Sequence, residues 1–361
     1  MAAGSDGSTF LVAGGGGAGN VKEVPNLVLG VGFDESSQTA TTLASLNTGK
    51  GVIVHMSYSA SAGLWLASAR SGCKILSFDA EQSKISELCE WTTEEEGKEP
   101  EQNFARLSAD ASMIITGGTD GAVRLWSMGK DPSIAPTLKC KCGEKTKEIL
   151  DGDFSADGKH IAACDASGAA RVWTMEAAEE AGTALSFPKP NKPVKGGVWI
   201  KLVRFCTLPN KGTALILAAN GARGPGLVAI CNVDGSCLTQ VVVDEAPVKS
   251  ILLDAARSTL LVGITSGAKA VFSFPDLRCQ KKTKPLHELP AMEVIPLGDG
   301  TIVSGSGDRS LHFLDCRQSS GGWCSGLWKF LVFVIVMLML ANIGLKASTL
   351  HDGQKAIEQD L

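Results

Sequence analysis

Four consecutive glycines near the start of the chain are the residues whose type and spacing point most clearly to a functional site. Gly14, Gly15, Gly16 and Gly17 lie between two apolar runs typical of strands, TFLVA before them and NLVLGVGF after them. A glycine run inside a structured region loses much backbone entropy on folding, so it indicates dihedral angles closed to other residues or an approach too close for a Cβ atom. The flanking strands therefore favour a built loop over a flexible glycine-rich linker.

Nucleotide binding by this loop alone is the less favoured interpretation. The sequence GGGGAGN has the glycine content of a phosphate-binding loop but lacks its Lys-Ser/Thr ending. It also opens into a predicted strand and not into a helix, whose N-terminus would hold the phosphate.

Catalytic groups are sparse in the rest of the sequence. There is no GxSxG or HExxH motif, and no paired carboxylates lie in a recognisable frame. We interpret the histidines as isolated: His55, His160, His287, His312 and His351. The sequence therefore predicts a protein that is not an enzyme and has no small-molecule substrate.

Cysteine usage indicates a reducing compartment. The 11 cysteines are scattered and odd in number, as expected for buried thiols of a cytosolic fold. Cys140 and Cys142 are separated by one residue, whereas zinc sites space paired cysteines more widely and add a second ligand pair. A zinc site is therefore not expected.

A repeated pattern predicts the elements that position the glycine loop. Each copy has a short apolar strand, a small turn, a second strand, a Gly/Asp turn, and a third strand that usually ends in an aromatic residue. The clearest copies span residues 104–126 and 150–173, and weaker copies end at Phe78, Cys231, Phe274 and Asp315. Copies spaced by roughly 30 to 60 residues are typical of four-stranded propeller blades. With the glycine segment counted as a further unit, the sequence predicts an all-β, seven-bladed WD-repeat β-propeller.

Polar and aromatic residues of the repeats are interpreted as structural. Asp120 and Asp308 lie in predicted tight turns, and Trp126 and Trp173 close strands. We expect the carboxylates to accept hydrogen bonds from turn backbone and the indoles to fill the space between blades. Two inserts, residues 92–103 and 175–197, interrupt the repeat and are predicted to be surface connections, the second with a short helical run.

The propeller is predicted to be followed by one C-terminal transmembrane helix at residues 327–345. The sequence LWKFLVFVIVMLMLANIGL carries a single charge, Lys329, beside Trp328. About 19 residues at about 1.5 Å each span close to the hydrocarbon core of a bilayer. A buried core helix is the alternative, but such helices are rarely apolar on every face.

The N-terminus predicts the orientation. MAAGSDGSTFLVAGGGG has neither a basic region nor an apolar stretch long enough for a secretory signal peptide. The large N-terminal region should therefore stay in the cytosol. The predicted domains are a cytosolic β-propeller at 1–318, a juxtamembrane linker at 319–326, the transmembrane helix at 327–345 and a short tail across the membrane at 346–361.

Composition limits the class of partner. With 361 residues, of which 44% are hydrophobic, the chain can bury a large core. The net charge of -4 and the lack of a basic stripe argue against nucleic acid as the main partner.

At the glycine loop the sequence resembles a known family. VAGGGGAGN at residues 12–20, followed closely by VPN at 24–26 in the first blade of a membrane-anchored propeller, is similar to the exchange factors of the prolactin regulatory element-binding protein family. These are cytosolic WD-repeat propellers of the endoplasmic-reticulum membrane, and they load GTP onto the Sar-type small GTPase that starts COPII coat assembly. The resemblance implies that this chain also loads GTP onto a Sar-type small GTPase at the endoplasmic-reticulum membrane. It further implies that the C-terminus lies in the lumen.

The resemblance also implies roles for single residues. In the family a bound potassium ion shapes the glycine-rich loop, which pushes into the nucleotide region of the GTPase. Potassium is large and weakly polarising, so backbone carbonyls and an amide oxygen suit it. Carried over by position, Val24, Pro25 and Asn26 would contact the GTPase, and Asn26 is the best candidate for an essential side chain. The implied potassium ligands come from Gly14, Gly15, Gly16, Gly17 and Asn26.

Two departures from the family pattern keep alternatives open. Glu23 stands where the family commonly has glycine, and a positive φ at that position would strain it. Only nine residues precede Phe10, which leaves little room for the first strand of blade 1, so the ring is expected to close with a C-terminal strand or to keep an incomplete blade. The alternative functions are an exchange-inactive trafficking facilitator and a membrane-tethered propeller scaffold without a GTPase partner.

Overall fold

Seven antiparallel sheets follow one another along the chain in the computed structural model, and each forms one blade of a propeller. The structure describes residues 1–4, 7–15, 24–34, 36–37, 39–69, 72–93, 101–143, 147–191, 193–209, 211–222, 224–298 and 300–315. Within each blade the strands are paired in chain order, and the first strands of neighbouring blades contact each other around a central channel. The predicted all-β, seven-bladed architecture is confirmed.

The strands are numbered in chain order and grouped by blade. Blade 1 contains β1 Ala2–Ala3, β2 Thr9–Gly14, β3 Asn26–Asp34 and β4 Thr39–Gly49; blade 2 contains β5 Ile53–Ser59, β6 Leu64–Ala69, β7 Gly72–Asp79 and β8 Lys84–Thr92. Blade 3 contains β9 Gln102–Leu107, β10 Met113–Gly118, β11 Val123–Ser127 and β12 Thr137–Lys141; blade 4 contains β13 Ile149–Phe154, β14 His160–Asp165, β15 Ala170–Thr174 and β16 Thr183–Leu185. Blade 5 contains β17 Val198–Leu208, β18 Gly212–Gly221, β19 Gly226–Asn232 and β20 Cys237–Asp244; blade 6 contains β21 Val248–Asp254, β22 Thr259–Ile264, β23 Lys269–Ser273 and β24 Cys279–Lys282. Blade 7 contains β25 Ala291–Pro296, β26 Thr301–Ser306 and β27 Leu311–Asp315.

The hydrophobic core is divided among the contacts between blades. Strand side chains alternate between the two faces of a sheet, so each blade presents apolar residues to both neighbours. Buried clusters lie between every pair of adjacent blades, including blades 7 and 1. Trp126 packs between blades 2 and 3, and Trp173 between blades 3 and 4, which confirms the interpretation of these indoles as fillers.

The turn aspartates also behave as predicted. One carboxylate oxygen of Asp120 accepts a hydrogen bond from the Ala122 N–H at 3.0 Å. Asp308 accepts one from the Ser310 N–H at 2.9 Å. Asp120 has a second contact that the sequence did not predict, an ion pair with the buried guanidinium of Arg124.

The ring closes between blades 7 and 1 by side-chain packing. The rings of Phe33 and Phe313 stack with centroids 5.0 Å apart, and Phe10 is buried beside them. One backbone hydrogen bond, from the Gly298 N–H to the Gly7 carbonyl at 2.8 Å, adds to this contact. Among the described residues no strand pairing joins the two blades, and the first strand of blade 1 is only two residues long. Blade 1 has four strands, whereas blade 7 has three in the described part of the chain, and the expected C-terminal closing strand would lie outside the described residues.

Strand direction gives the propeller two distinct faces. Antiparallel strands alternate in direction, so the turns after every second strand share one face with the connections between blades. The turn between β2 and β3 lies on this side, which we call the glycine-loop face. The opposite side carries the turns after every first and third strand, and β27 ends there at Asp315, so we call it the exit face.

The second predicted insert contains structure beyond a surface connection. A short 3-10 helix at Met175–Ala177 precedes β16, which pairs with β15 and buries Leu185. This strand covers the outer edge of blade 4. An apolar residue within the polar insert, Leu185, was the sequence signal that could have predicted the strand. In the first insert, residues 94–100 lie outside the described part of the chain.

The C-terminal predictions lie beyond the described residues. These are the end of the predicted propeller domain at 316–318, the linker at 319–326, the transmembrane helix at 327–345 and the tail at 346–361. Within the residues that the structure describes, no helix has the length and apolar character needed to cross a bilayer.

Candidate functional site

The glycine loop, residues 14–26, connects β2 to β3 on the glycine-loop face. Gly14 ends β2 and pairs with Leu27 of β3, so the two ends of the loop are held side by side. The structure thereby brings together Gly14, Gly15 and the segment from Val24 to Asn26. The remaining predicted ligands, Gly16 and Gly17, lie outside the described residues, as does Glu23.

Gly15 is pressed against the far end of the loop, whereas Gly14 is not. A methyl group added at Gly15 would lie 2.6 Å from the Cα of Asn26 and 2.9 Å from the carbonyl oxygen of Pro25, and it would overlap the Asn26 side-chain oxygen. The same methyl group at Gly14 would meet nothing within 4 Å. At Gly15, glycine is therefore required by close approach.

The Asn26 amide is buried and fixed in direction. The side-chain nitrogen donates a hydrogen bond to the Gly49 carbonyl at 2.9 Å, and the backbone carbonyl of Asn26 accepts one from the Thr48 hydroxyl at 3.2 Å. A carbonyl can only accept, so the nitrogen must face Gly49 and the side-chain oxygen is left facing Gly15. With only 2% of its surface exposed, the side chain has little freedom to turn away.

Two oxygen atoms therefore converge on the space beside Gly15. The Pro25 carbonyl and the Asn26 side-chain oxygen both border the volume that a Cβ atom of Gly15 would fill. Neutral oxygen donors of this kind suit a large, weakly polarising cation. They are donors of the type that the implied potassium ion requires, but the approach to Gly15 is too close for an ion to lie between them and that residue.

Side chains that commonly bind metals are not clustered in the described residues. No group of three or more His, Cys, Asp or Glu side chains there could hold a metal ion. Cys142 is buried and Cys140 is half-buried, and burial raises the pKa of both thiols. Protonated thiols are poor ligands, since the thiolate is the metal-binding form.

A charged network joins the first strands of blades 3, 4 and 5. Arg106 of β9 and Arg204 of β17 both form ion pairs with Asp151 of β13, which also accepts the Val203 N–H at 3.0 Å. Burial raises the pKa of the neighbouring Asp153, and burial followed by repulsion from Arg204 lowers the pKa of Arg106. The sequence analysis missed this network, although charged residues inside the apolar pattern of LDGDF and LVRFC were a signal for it. Since every member bonds across blades, its role is structural.

Two histidines, His287 in the connection between blades 6 and 7 and His312 in β27, correct the interpretation of isolated imidazoles. The His287 and His312 rings are 4.4 Å apart, edge to face. A ring nitrogen of His287 lies 2.8 Å from the Ser304 hydroxyl, and the Lys269 ammonium donates to that hydroxyl at 3.0 Å. Burial and the neighbouring His312 lower the pKa of His287 to about 4. The two histidines are 25 positions apart in the sequence, so only the fold of blades 6 and 7 could bring them together.

Comparison with known proteins identifies the fold of the chain but not its family or its function. No protein family matches the chain, and no curated protein matches it either. One similar solved structure is a chain of a mitotic checkpoint complex crystal structure, at 15% sequence identity and a TM-score of 0.59. The match covers 81% of this chain and 88% of that chain. It establishes the β-propeller fold, and because 1681 chains of solved structures match, the fold does not select a function.

Proposed function

We propose that this protein is a guanine-nucleotide exchange factor for a Sar-type small GTPase. On this proposal it acts at the endoplasmic-reticulum membrane and starts assembly of the COPII coat. The observation that carries the proposal is the contact of Gly15 with Pro25 and the oriented amide of Asn26. These residues coincide with the positions that the family resemblance marks in the sequence.

Nucleotide exchange makes no bond and needs no acid, base or nucleophile. The required quantity is a coupling free energy: whatever weakens nucleotide binding must equally weaken binding of the exchange factor while nucleotide is present. A loop tied at both ends supplies this antagonism if it occupies the nucleotide region of the GTPase. Gly14 and Leu27 tie the ends, and Gly49 fixes Asn26. On this proposal the half-buried Val24 and Pro25 meet the GTPase, and the buried Asn26 holds them in position.

Potassium enters the proposal through the loop's oxygen atoms. Pro25 and Asn26 would hold the ion from the described side, and backbone carbonyls of Gly14 to Gly17 would complete its shell. When bound, potassium supplies a charge on which carbonyl dipoles can converge. The chain's own contribution is to remove the Cβ at Gly15 and to aim the Asn26 amide.

The membrane anchor is part of the same proposal. A single span at 327–345 would follow the propeller and leave residues 346–361 in the lumen. Asp315 ends β27 on the exit face, so the glycine loop would point away from the bilayer towards the cytosol. A cytosolic GTPase could then reach the loop.

Release of fluorescent GDP from a Sar-type GTPase tests the proposal. The full chain in detergent micelles should accelerate release, more strongly in potassium than in sodium buffer. Asn26→Ala should abolish the acceleration, whereas the matched amide removal Asn232→Ala should not, because Asn232 bonds Ser236 in a turn on the exit face. If Asn26→Ala keeps full activity, the loop mechanism is wrong.

A propeller scaffold is the second candidate. It is favoured by one observation, the likeness of the fold to a chain from a multiprotein complex. A scaffold, or an exchange-inactive trafficking facilitator, would leave GDP release unchanged in both buffers. Binding of the GTPase without exchange would favour the facilitator, and no binding would favour the scaffold.

A further inference from the structure

Two cysteines face each other across the two outer strands of blade 5. Cys231, near the end of β19, pairs with Cys237, the first residue of β20. The Asn232 N–H donates a hydrogen bond to the Ser236 carbonyl at 2.9 Å, so these two neighbours form a hydrogen-bonded pair. Alternation along an antiparallel ladder makes the two cysteines a non-hydrogen-bonded pair, the kind in which opposite side chains lie closer together.

The spacing of this cysteine pair suits a disulfide bond. Opposite residues of a non-hydrogen-bonded pair have Cα atoms about 4.5 Å apart, and disulfide-bonded cysteines have Cα atoms about 4.4–6.8 Å apart. Both thiols are free, and a hydrogen bond joins Cys231 to the Cys237 sulfur. The Cys237 thiol donates its own proton to the Thr239 carbonyl at 3.6 Å, which leaves its sulfur lone pairs available to Cys231. The two sulfur atoms are therefore already in contact.

The two thiols have opposite surroundings. Cys231 is fully buried in the apolar core between blades 4 and 5, whereas Cys237 is exposed at the turn on the exit face. Burial and the neighbouring Cys237 raise the pKa of the Cys231 thiol to about 12. A dissolved oxidant therefore reaches Cys237 first, and Cys231 stays beside it as a protonated thiol.

This arrangement is specific to Cys231 and Cys237. Among the described residues they are the one pair of cysteines opposed across neighbouring strands. Cys140 and Cys142 are two positions apart at the end of β12, where an extended chain separates Cα atoms by about 6.6 Å, at the wide end of the disulfide range. Cys206 packs on the opposite face of blade 5, towards blade 6.

We propose that Cys231 and Cys237 are a redox modification site, at which a hydroperoxide such as hydrogen peroxide drives formation of a reversible disulfide bond. The Cys237 thiolate attacks one peroxide oxygen, the O–O bond breaks, and the departing hydroxide takes up the thiol proton to give water. The Cys231 sulfur then attacks the resulting sulfenic acid at the Cys237 sulfur. The S–O bond breaks, and its oxygen leaves as a second water with the Cys231 proton. The two thiols together lose two electrons, which reduce the peroxide.

The bond would close the turn between β19 and β20 covalently. It lies next to an irregular position, where the strand pairing skips Leu238. A cross-link there restricts the opening of the turn. Because Cys237 is exposed, a dithiol can attack the bond and restore both thiols. This inference goes beyond the exchange function and does not depend on it, since the pair lies on the exit face.

Peptide mapping of the peroxide-treated full chain tests the proposal. After alkylation of the remaining thiols, trypsin leaves both cysteines in one peptide, residues 224–249. A second cleavage before Asp234 separates Cys231 from Cys237, so the two fragments stay joined only if the disulfide has formed. We expect joined fragments after hydrogen peroxide, separate fragments after dithiothreitol, and no joined fragments from Cys237→Ser.

Cys279 is a matched control within the same chain. It is exposed and begins β24 as Cys237 begins β20, but Phe272 lies opposite it. In Cys231→Ser, checked for folding by circular dichroism, sulfenic acid trapped at Cys237 by dimedone should rise by about tenfold or more, and that at Cys279 should not change. The proposal is wrong if the wild-type Cys231 and Cys237 are both still alkylated after a peroxide treatment that oxidises Cys279, or if Cys237 bonds another cysteine.

Discussion

Gly14 and Gly15 are adjacent, yet only Gly15 lies too close to another part of the chain for a side chain to fit. The predicted consequence is a sharp difference between two identical substitutions. Gly15→Ala should reduce GDP-release activity by about tenfold or more, because the new methyl group displaces Pro25 and Asn26 from their positions. Gly14→Ala should stay within about twofold of wild type, since the space around Gly14 is open. Equal activity of the two variants would contradict the geometry of the loop base.

At this scale the sequence could identify Asn26 but not the reason for its orientation. The glycine run and the VPN segment mark the loop in the sequence. The partners that fix Asn26 are Gly49 and Thr48, which lie more than 20 positions further along the chain. Only the pairing of β3 with β4 brings them together. The sequence pattern of one segment cannot predict a contact with a residue of another strand.

His287 is predicted to make stability depend on pH. Its pKa in the folded chain is about 4, lowered by burial and by His312, whereas an unfolded histidine titrates near 6.5. As pH falls from about 6.5 to about 4, the unfolded chain binds a proton that the folded chain does not, so the free energy of unfolding decreases. The loss attributable to His287 should reach about 3 kcal/mol at the acid end.

Urea unfolding at several pH values measures this effect. His55, whose pKa burial also lowers, acts in the same direction, so the wild-type curve has to be compared with that of His287→Gln. The variant should be less stable near pH 7, where it loses the contact with Ser304, but its stability should fall less steeply below pH 6.5. Parallel curves would exclude His287 as the source.

Among the elements, the junction of blades 7 and 1 is where the propeller depends most on side-chain packing. Phe10 is fully buried there, and no strand within the described residues bridges the two blades. Phe10→Ala should therefore lower the free energy of unfolding by about 3 to 5 kcal/mol and make the junction susceptible to proteolysis. Leu138→Ala, at an exposed position, should change it by less than about 0.5 kcal/mol. A Phe10→Ala variant with wild-type stability would show that the ring closes by other contacts.

The blades were predictable because each repeats the same alternation of apolar strands and Gly/Asp turns. Trp126 and Trp173 and the turns at Asp120 and Asp308 were interpreted correctly for the same reason. The irregular positions at Val54 and Met292 were not predictable, because a skipped residue in a strand does not change its composition.

At the scale of the whole molecule, the proposed function places one face of the propeller against the membrane and the other face in the cytosol. The chain leaves blade 7 on the exit face, and the glycine loop lies on the other. A strand of six residues such as β10 spans about 20 Å, which sets the least separation between the faces. With a membrane span at 327–345, the exit face should lie against the bilayer and the loop should face the cytosol.

Fluorescence quenching by lipid-attached quenchers tests this orientation in liposomes. A label at Lys211→Cys on the exit face should be quenched strongly, and one at Lys50→Cys on the glycine-loop face weakly, in a background without exposed native cysteines. The exposed cysteines of the described residues, Cys237 and Cys279, both begin strands on the exit face. Equal quenching of the two labels would contradict the proposed orientation.

The most direct test of the central claim is the affinity of the full chain for one Sar-type GTPase in two states, free of nucleotide and bound to GDP. An exchange factor must bind the nucleotide-free state more tightly, here by at least about tenfold, because the two ligands are coupled through the same free energy. Asn26→Ala should remove this difference. Equal affinity of the wild-type chain for both states would contradict the account, since a partner that does not discriminate between the states cannot drive nucleotide release.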